Sequence, residues 1–185
     1  MARGKEQAEA AQARRHGGME AVIDAYQAPL LRYAARLLNN ATLAQDVVQN
    51  ALVKLFRQWQ PGLQPGAHLR NWLYRVVHNE AVDAIRSEER HRRLHGEHAV
   101  AFDLVETGGS QVDPPPDERE ALVLRCLGVL DPAQRQVVLL RLQQGMSYEE
   151  IAAVTGLSSG YVGNLLHFAV KRLAVEVRRL EGAVP

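Results

Sequence analysis

The chain has a single cysteine, Cys126, among its 185 residues, which excludes an internal disulfide and fits a reducing compartment. Cys126 falls on the apolar side of a helical pattern, so packing rather than reactivity is expected of it. An excess of either charge is also missing. The formal net charge is +1, and no bulk electrostatic attraction to nucleic acid follows from it. No apolar run approaches the roughly 20 residues of a membrane span. The opening stretch MARGKEQAEAAQARRHGG lacks the apolar segment of a signal peptide, so neither export nor membrane insertion is expected. No segment alternates as a half-buried strand would. Enzyme signatures are missing as well: no P-loop, no glycine-rich dinucleotide motif, no nucleophile elbow and no HExxH. A non-enzymatic chain without cofactor or metal is therefore expected. His91, His95 and His98 have a spacing that can gather imidazoles on a helical turn, but no cysteine is near and Gly96 weakens the helix, so they are not taken as a metal site.

The composition that is present suits a folded protein. Hydrophobic residues are 46% and charged residues 23%, enough to bury real cores. Charge alternates along the chain. Residues 1–19 carry four basic and two acidic side chains, 20–93 ten and seven, 94–116 none and four, and 117–185 eight of each.

Every patterned segment reads as helix. A first helix is expected over about Met19–Leu38, with Pro29 predicting a kink or break and Asn39-Asn40 ending it. A second runs from Thr42, taken as its N-cap, to about Trp59, with Val47, Val48, Ala51, Leu52, Leu55, Phe56 and Trp59 as its apolar stripe. A Pro/Gly loop follows, then a third helix from about His68 to Arg90 with Leu69, Trp72, Leu73, Val76, Val77, Ala81 and Ile85 inward. Residues 94–116 end in Gly108-Gly109 and three prolines and read as an acidic tether. Beyond it, Asp131-Pro132 marks a helix start, with Asp as N-cap and Pro at the first helical position.

The segment MSYEEIAAVTGLSSGYVGNLLHFAVKR, Met146–Arg172, carries the most information. Ser147 and Glu150 form a capping box, Gly156 stands where the chain must turn, Leu157 plugs the angle between two helices, and Ser158 caps the second. This is the pattern of a helix-turn-helix, whose second helix enters the major groove of DNA. An ordinary helical hairpin would share many of these features. The expected architecture is all-α: a flexible basic tail at 1–18, a helical domain at 19–93, a linker at 94–116, and a second helical domain at 117–181 ending in the helix-turn-helix.

Three stretches, in order, resemble the extracytoplasmic-function (ECF) group of bacterial RNA polymerase sigma factors. LAQDVVQNALVKLFRQW looks like the polymerase-binding helix of region 2. HLRNWLYRVVHNEAVDAIR looks like the promoter-opening helix, and DPAQRQVVLLRLQQGMSYEEIAAVTGLS looks like region 4. The resemblance implies a cytoplasmic protein, associated with the nucleoid when in holoenzyme, that binds core RNA polymerase through the β′ clamp coiled coil and the β flap. It implies promoter DNA as a partner, with recognition of a −35 element and melting of a −10 element, and an anti-sigma factor as a regulator. Carried onto this sequence, the polymerase contact falls to Asp46, Gln49, Asn50, Lys54 and Arg57. The −10 region falls to Leu63, Asn71, Tyr74, Arg75, His78, Asn79, Asp83 and Arg86. Tyr74, Arg75, His78 and Asn79 are expected to face outward, and Arg90, Arg92 and Arg93 to hold phosphates. The −35 region falls to Ser158, Ser159, Tyr161, Asn164, His167, Lys171 and Arg172, with Arg135 and Arg141 near the DNA backbone.

The sequence departs from the family pattern at two places. Gly163, Leu165, Phe168 and Val170 stand where cations are usual, leaving few charges for phosphate. The clamp-binding helix also opens with few acids, and a kinase acting on Thr42 would restore negative charge at its N-terminus. Two other functional classes fit part of the pattern: a helix-turn-helix regulator without polymerase, and a sequestered sigma-like interaction protein with altered promoter recognition.

Overall fold

The computed structural model describes residues 2–60, 63–95, 122 and 125–181. Among the described residues lie six bounded helices and one 3-10 turn: α1 (Ala2–Leu38), α2 (Ala41–Arg57), α3 (Ala67–His95), the turn Cys126–Val129, α4 (Pro132–Gln144), α5 (Tyr148–Thr155) and α6 (Ser159–Glu181); Leu122 and Arg125 are helical as well. Among the described residues there is no strand, as expected. The tether expected over 94–116 lies outside them beyond His95.

The first helix starts earlier than its apolar pattern does. Residues expected as a loose tail continue α1 back to Ala2, and the helix runs unbroken through Pro29. Gly18 lies under Trp59, and a Cβ there would stand 3.0 Å from a ring carbon, so this glycine serves close approach and not chain breaking. The two asparagines after α1 divide their labour. Asn39 adopts φ 51 to turn the chain out of α1. Asn40 is extended, and its side-chain oxygen accepts the Leu43 amide hydrogen at 3.0 Å. Asn40, not Thr42, is therefore the N-cap of α2; Thr42 lies inside the first turn, its side chain exposed.

Helices α1, α2 and α3 pack on one another around Val22, Leu30, Tyr33, Val48, Leu73 and Val77. Phe56 lies outside this core. It is 69% exposed because Ala44, Val47, Val48, Ala51 and Leu55 set the buried arc of α2, and Phe56 lies well around the helix from them. Helices α4, α5 and α6 and the 3-10 turn build a second core around Val137, Leu139, Leu140, Met146, Ile151, Val162 and Ala169. Cys126 is buried in it, and desolvation raises the thiol's pKa, as its packing role requires. Asp131 accepts the Gln134 amide hydrogen at 2.9 Å, Pro132 opens α4, and Gly145 ends it at φ 59. The two units touch, α1 against α4 and α3 against α5.

Candidate nucleic-acid interface

The helix-turn-helix is assembled from local bonds that its sequence specifies. The Glu150 amide donates to Ser147 Oγ at 3.2 Å, and the Ser147 amide donates to Glu150 Oε2 at 2.9 Å, closing the capping box. Gly156 takes φ 75 and ends α5, a conformation that penalises any side chain. Leu157 packs half-buried between the helices. Ser158 Oγ accepts the Tyr161 amide hydrogen at 3.2 Å and so caps α6.

Six of the seven residues expected to face the −35 element sit on accessible surface of α6, and the seventh, Ser158, is its cap. Tyr161, Asn164, His167, Lys171 and Arg172 are exposed, as is Ser158, and Ser159 is half-buried. Phe168 is 56% exposed and stacks its edge on His167 at 5.6 Å between centroids. Arg172 is braced from behind, donating to Gln134 Oε1 at 3.2 Å and lying 3.7 Å from Asp131. Arg141 covers the Tyr148 ring at 5.8 Å and donates to the Met146 carbonyl at 2.9 Å. Arg135 corrects its sequence reading. It is 5% exposed and donates to the carbonyls of Leu127 and Leu130, both at 3.2 Å, so it ties the 3-10 turn to α4 and does not reach toward DNA.

On α3 the expected set divides. Arg75, Asn79, Asp83 and Arg86 are exposed, with Arg86 lying 3.6 Å from Asp83. Arg90 and Arg93 continue that surface. Tyr74 and His78 do not face outward: their exposures are 0% and 5%. The helix is turned so that Leu69, Leu73, Tyr74, Val77, His78 and Ala81 form the buried arc, leaving Trp72 and Val76 half-buried. The cause is on α1. Tyr33 meets the Tyr74 ring edge-on at 5.4 Å, and its hydroxyl lies 3.1 Å from His78 Nδ1. Burial raises the pKa of both phenols far above their usual range and pushes His78 down to about 4, with Arg86 adding to the fall. His78 is therefore neutral at physiological pH. The Tyr33 hydroxyl and His78 Nδ1 share one hydrogen bond, whose donor is set by the imidazole tautomer.

Leu63 packs half-buried against the first core. Its loop is pinned by Tyr26, whose hydroxyl accepts from the Gly66 amide at 2.8 Å and donates to the Gly66 carbonyl at 3.1 Å. Asn71 is half-buried and donates to Glu150 Oε1 at 3.3 Å, beside Arg70, which donates to the same oxygen at 2.5 Å. Sequence reading missed Arg70. Its only signal was a cation beside Asn71 on the half-buried flank of an amphipathic helix.

On α2, Asp46, Gln49, Asn50, Lys54 and Arg57 all lie on the surface, and Lys54 pairs with Glu80 of α3. Among the described residues no cluster of metal-ligating side chains occurs. No described helix is long and apolar enough to cross a membrane.

Two family patterns match the sequence: Sigma-70 region 2 over residues 22–91 and Sigma-70, region 4 over residues 120–173. An ECF RNA polymerase sigma factor of Mycobacterium tuberculosis, SigL, is 32% identical over 167 residues, covering 88% of this chain and 90% of the relative. The RNA polymerase sigma-E factor of Streptomyces avermitilis is 35% identical over 160 residues, covering 85% and 84%. Among solved structures, the sigma factor RpoE of Bartonella quintana, in complex with the anti-sigma factor NepR, superposes with a TM-score of 0.60 at 25% identity over 81% of this chain and 89% of that one. CnrH, in complex with the cytosolic domain of CnrY, superposes at 0.59 and 25% identity over 91% and 95%.

Proposed function

The chain belongs to the ECF family of RNA polymerase sigma factors and serves promoter-specific transcription initiation with RNA polymerase; from that premise we propose how its surfaces divide the task. Residues 19–93 act as region 2 and residues 117–181 as region 4, with the segment between them as tether. Helix α2 docks on the β′ clamp coiled coil through Asp46, Gln49, Asn50, Lys54 and Arg57, and region 4 docks on the β flap. Arg75, Asn79, Asp83 and Arg86 of α3, with Asn71 and Leu63, hold the opened −10 strand. Helix α6 reads the −35 duplex. Tyr74 and His78 support the −10 face from inside by fixing the rotation of α3.

The observation that carries this division is on α2. Asp46, Gln49, Asn50 and Arg57 face solvent away from Ala44, Val47, Val48, Ala51 and Leu55, with Lys54 on the flank paired to Glu80, so a docking face exists with no rearrangement of the core behind it. Co-purification with core polymerase followed by run-off mapping of start sites tests the proposal. Retention on core and discrete start sites are expected; absence of core binding would sink it. The same pull-down tests Thr42, exposed in the first turn of α2. A phosphate there places about 1.5–2 negative charges where the helix dipole favours them, so Thr42→Glu is expected to retain more core.

A second reading, a sequestered form, is favoured by one observation. Asn71, on the −10 face, is held by Glu150 of region 4, so the two DNA-reading units cover part of each other. An anti-sigma factor that clamps this arrangement would keep the chain off the promoter, and the similar sigma factor RpoE is solved in complex with an anti-sigma factor.

A further inference from the structure

Two ridges run along the exposed side of α6. Tyr161, Phe168 and Val175 recur every seven residues and form one; they are 50%, 56% and 67% exposed. Asn164 and Lys171 form the other, one turn of side chains to the side. Arg172 stands on the far flank of the aromatic ridge, braced by Asp131 and Gln134. Region 2 packs on α4 and α5 and leaves this side of α6 uncovered. From Ser159 to Val175 the helix has no acidic residue. The face therefore has an apolar and amide centre, a cation on each flank, and no acidic side chain from that stretch of its own helix, with the Asp131 carboxylate standing behind Arg172.

That arrangement fits one occupant, a major groove whose walls meet Lys171 and Arg172 and whose floor meets Tyr161, Asn164 and Phe168. The chemistry of the centre then limits what the floor can be. A guanine edge offers two acceptors and calls for Arg or Lys; the aromatic ridge carries neither, and Lys171 and Arg172 stand about two turns beyond Asn164, toward the groove walls. An asparagine amide offers one donor and one acceptor, the complement of adenine's N6 and N7. An aromatic ring offers apolar surface, the complement of a thymine methyl.

Resting on the assignment of α6 to the −35 duplex, we infer that Tyr161, Asn164 and Phe168 set promoter specificity by selecting an A·T-rich −35 core. Asn164 pairs with an adenine edge, and the two aromatic rings cover thymine methyls. Lys171 and Arg172 contribute phosphate contacts that are indifferent to sequence. With few such contacts, the reading of bases supplies an unusually large share of the discrimination.

Holoenzyme reconstituted from the full chain and core polymerase, transcribing a template library randomised at the −35 and −10 positions, tests this. The selected −35 sequences are expected to be A·T-rich, with an adenine at one fixed position. Replacing the −35 thymines by deoxyuridine removes only the methyl groups and is expected to lower initiation about fourfold per covered methyl. Phe168→Ala alters an exposed side chain and is expected to initiate equally from thymine and uracil templates at one position. Asn164→Arg is expected to shift the selected adenine to guanine. Selection of a G·C-rich −35 core, or indifference of the wild-type protein to uracil, would overturn the inference while leaving the sigma function standing. A Phe168→Ala loss that is the same on every −35 sequence would overturn it in favour of a protein partner on this ridge. Absence of initiation from any template would sink the assignment of function and this inference with it.

Discussion

Arg70 and Glu150, 80 positions apart, join the two helical units through a carboxylate that is already in use. One oxygen of Glu150 accepts from the Ser147 amide and closes the capping box of α5; the other accepts from Arg70 at 2.5 Å and from Asn71 at 3.3 Å. The Ser147 amide is the main cause of the lowered pKa of Glu150, with Asn71 and Arg70 adding to it. The contact is thus present at neutral pH and is lost as pH falls through that lowered value.

Glutamine at position 150 separates the two duties, because an amide can still complete a capping box but cannot hold the ion pair. Glu150→Gln is expected to leave the stability of region 4 within about 0.5 kcal/mol and to weaken the contact between units by about 1 kcal/mol. Small-angle scattering on the full chain should show a larger radius of gyration for the variant. An unchanged radius would mean that the packing of α1 on α4 and of α3 on α5 suffices alone.

His78 makes the first unit sensitive to mild acid. Its folded pKa, about 4, lies below the ordinary value near 6.5, so the unfolded chain binds the additional proton. Stability from this group is therefore complete above pH 6.5, falls as pH drops toward 4, and is constant below that. The full change is about 3 kcal/mol. Between pH 6.5 and 5 few carboxylates titrate, so the difference in denaturant midpoint between wild type and His78→Gln across that window reports on this histidine among the seven. His78→Gln is expected to be less stable at pH 7 and nearly flat across the window; a wild-type curve equally flat would contradict the buried neutral imidazole.

Arg135 should behave as a structural residue. Its guanidinium satisfies two carbonyls of the turn that precedes α4, inside the second core. Arg135→Met keeps the stem and abandons both acceptors, which costs about 2–4 kcal/mol. Thermal denaturation of the full chain measures the loss. Binding of promoter DNA by the variant, under conditions where it remains folded, should match wild type in its salt dependence; a shallower slope would return Arg135 to the DNA backbone.

What the sequence made legible follows from the range of the forces involved. The capping box at Ser147, the Gly156 turn, the Ser158 cap and the Asp131-Pro132 start are all set within a few residues, and each was readable in advance. The rotation of α3 was not. Leu69, Leu73, Val77 and Ala81 anchor its inner face either way. The choice between Trp72 and Val76 on one flank and Tyr74 and His78 on the other was made by Tyr33, on another helix. Arg135 was misread for the same reason: a cation reads as surface until a carbonyl from a distant turn is placed beside it. Thr42 and Asn40 are both good caps, and the positive φ of Asn39 made Asn40 the first extended residue. On α6 the inward set Val162, Leu165, Leu166 and Ala169 was legible from helical spacing, so Leu165, although it stands where the family usually carries a cation, is a packing position.

Gly163 offers the most direct test of how few phosphate contacts α6 makes. A Cβ at this position would meet the Tyr148 ring at 3.5 Å, ordinary van der Waals contact, so a side chain can be added without moving the backbone. Gly163 lies inside α6, where replacing glycine by a good helix former contributes about 0.5–1 kcal/mol. Gly163→Arg is therefore expected to raise the melting temperature of the full chain by a few degrees. It also restores one of the cations expected of the family. If that guanidinium reaches a phosphate, the slope of log affinity against log salt should steepen by about 0.9, one released counterion, with the same increment on every −35 sequence. An increment confined to templates with a guanine in the −35 core would mean that the new arginine reads a base edge. No increment at all, in a protein that melts higher, would place this turn of α6 away from the DNA backbone.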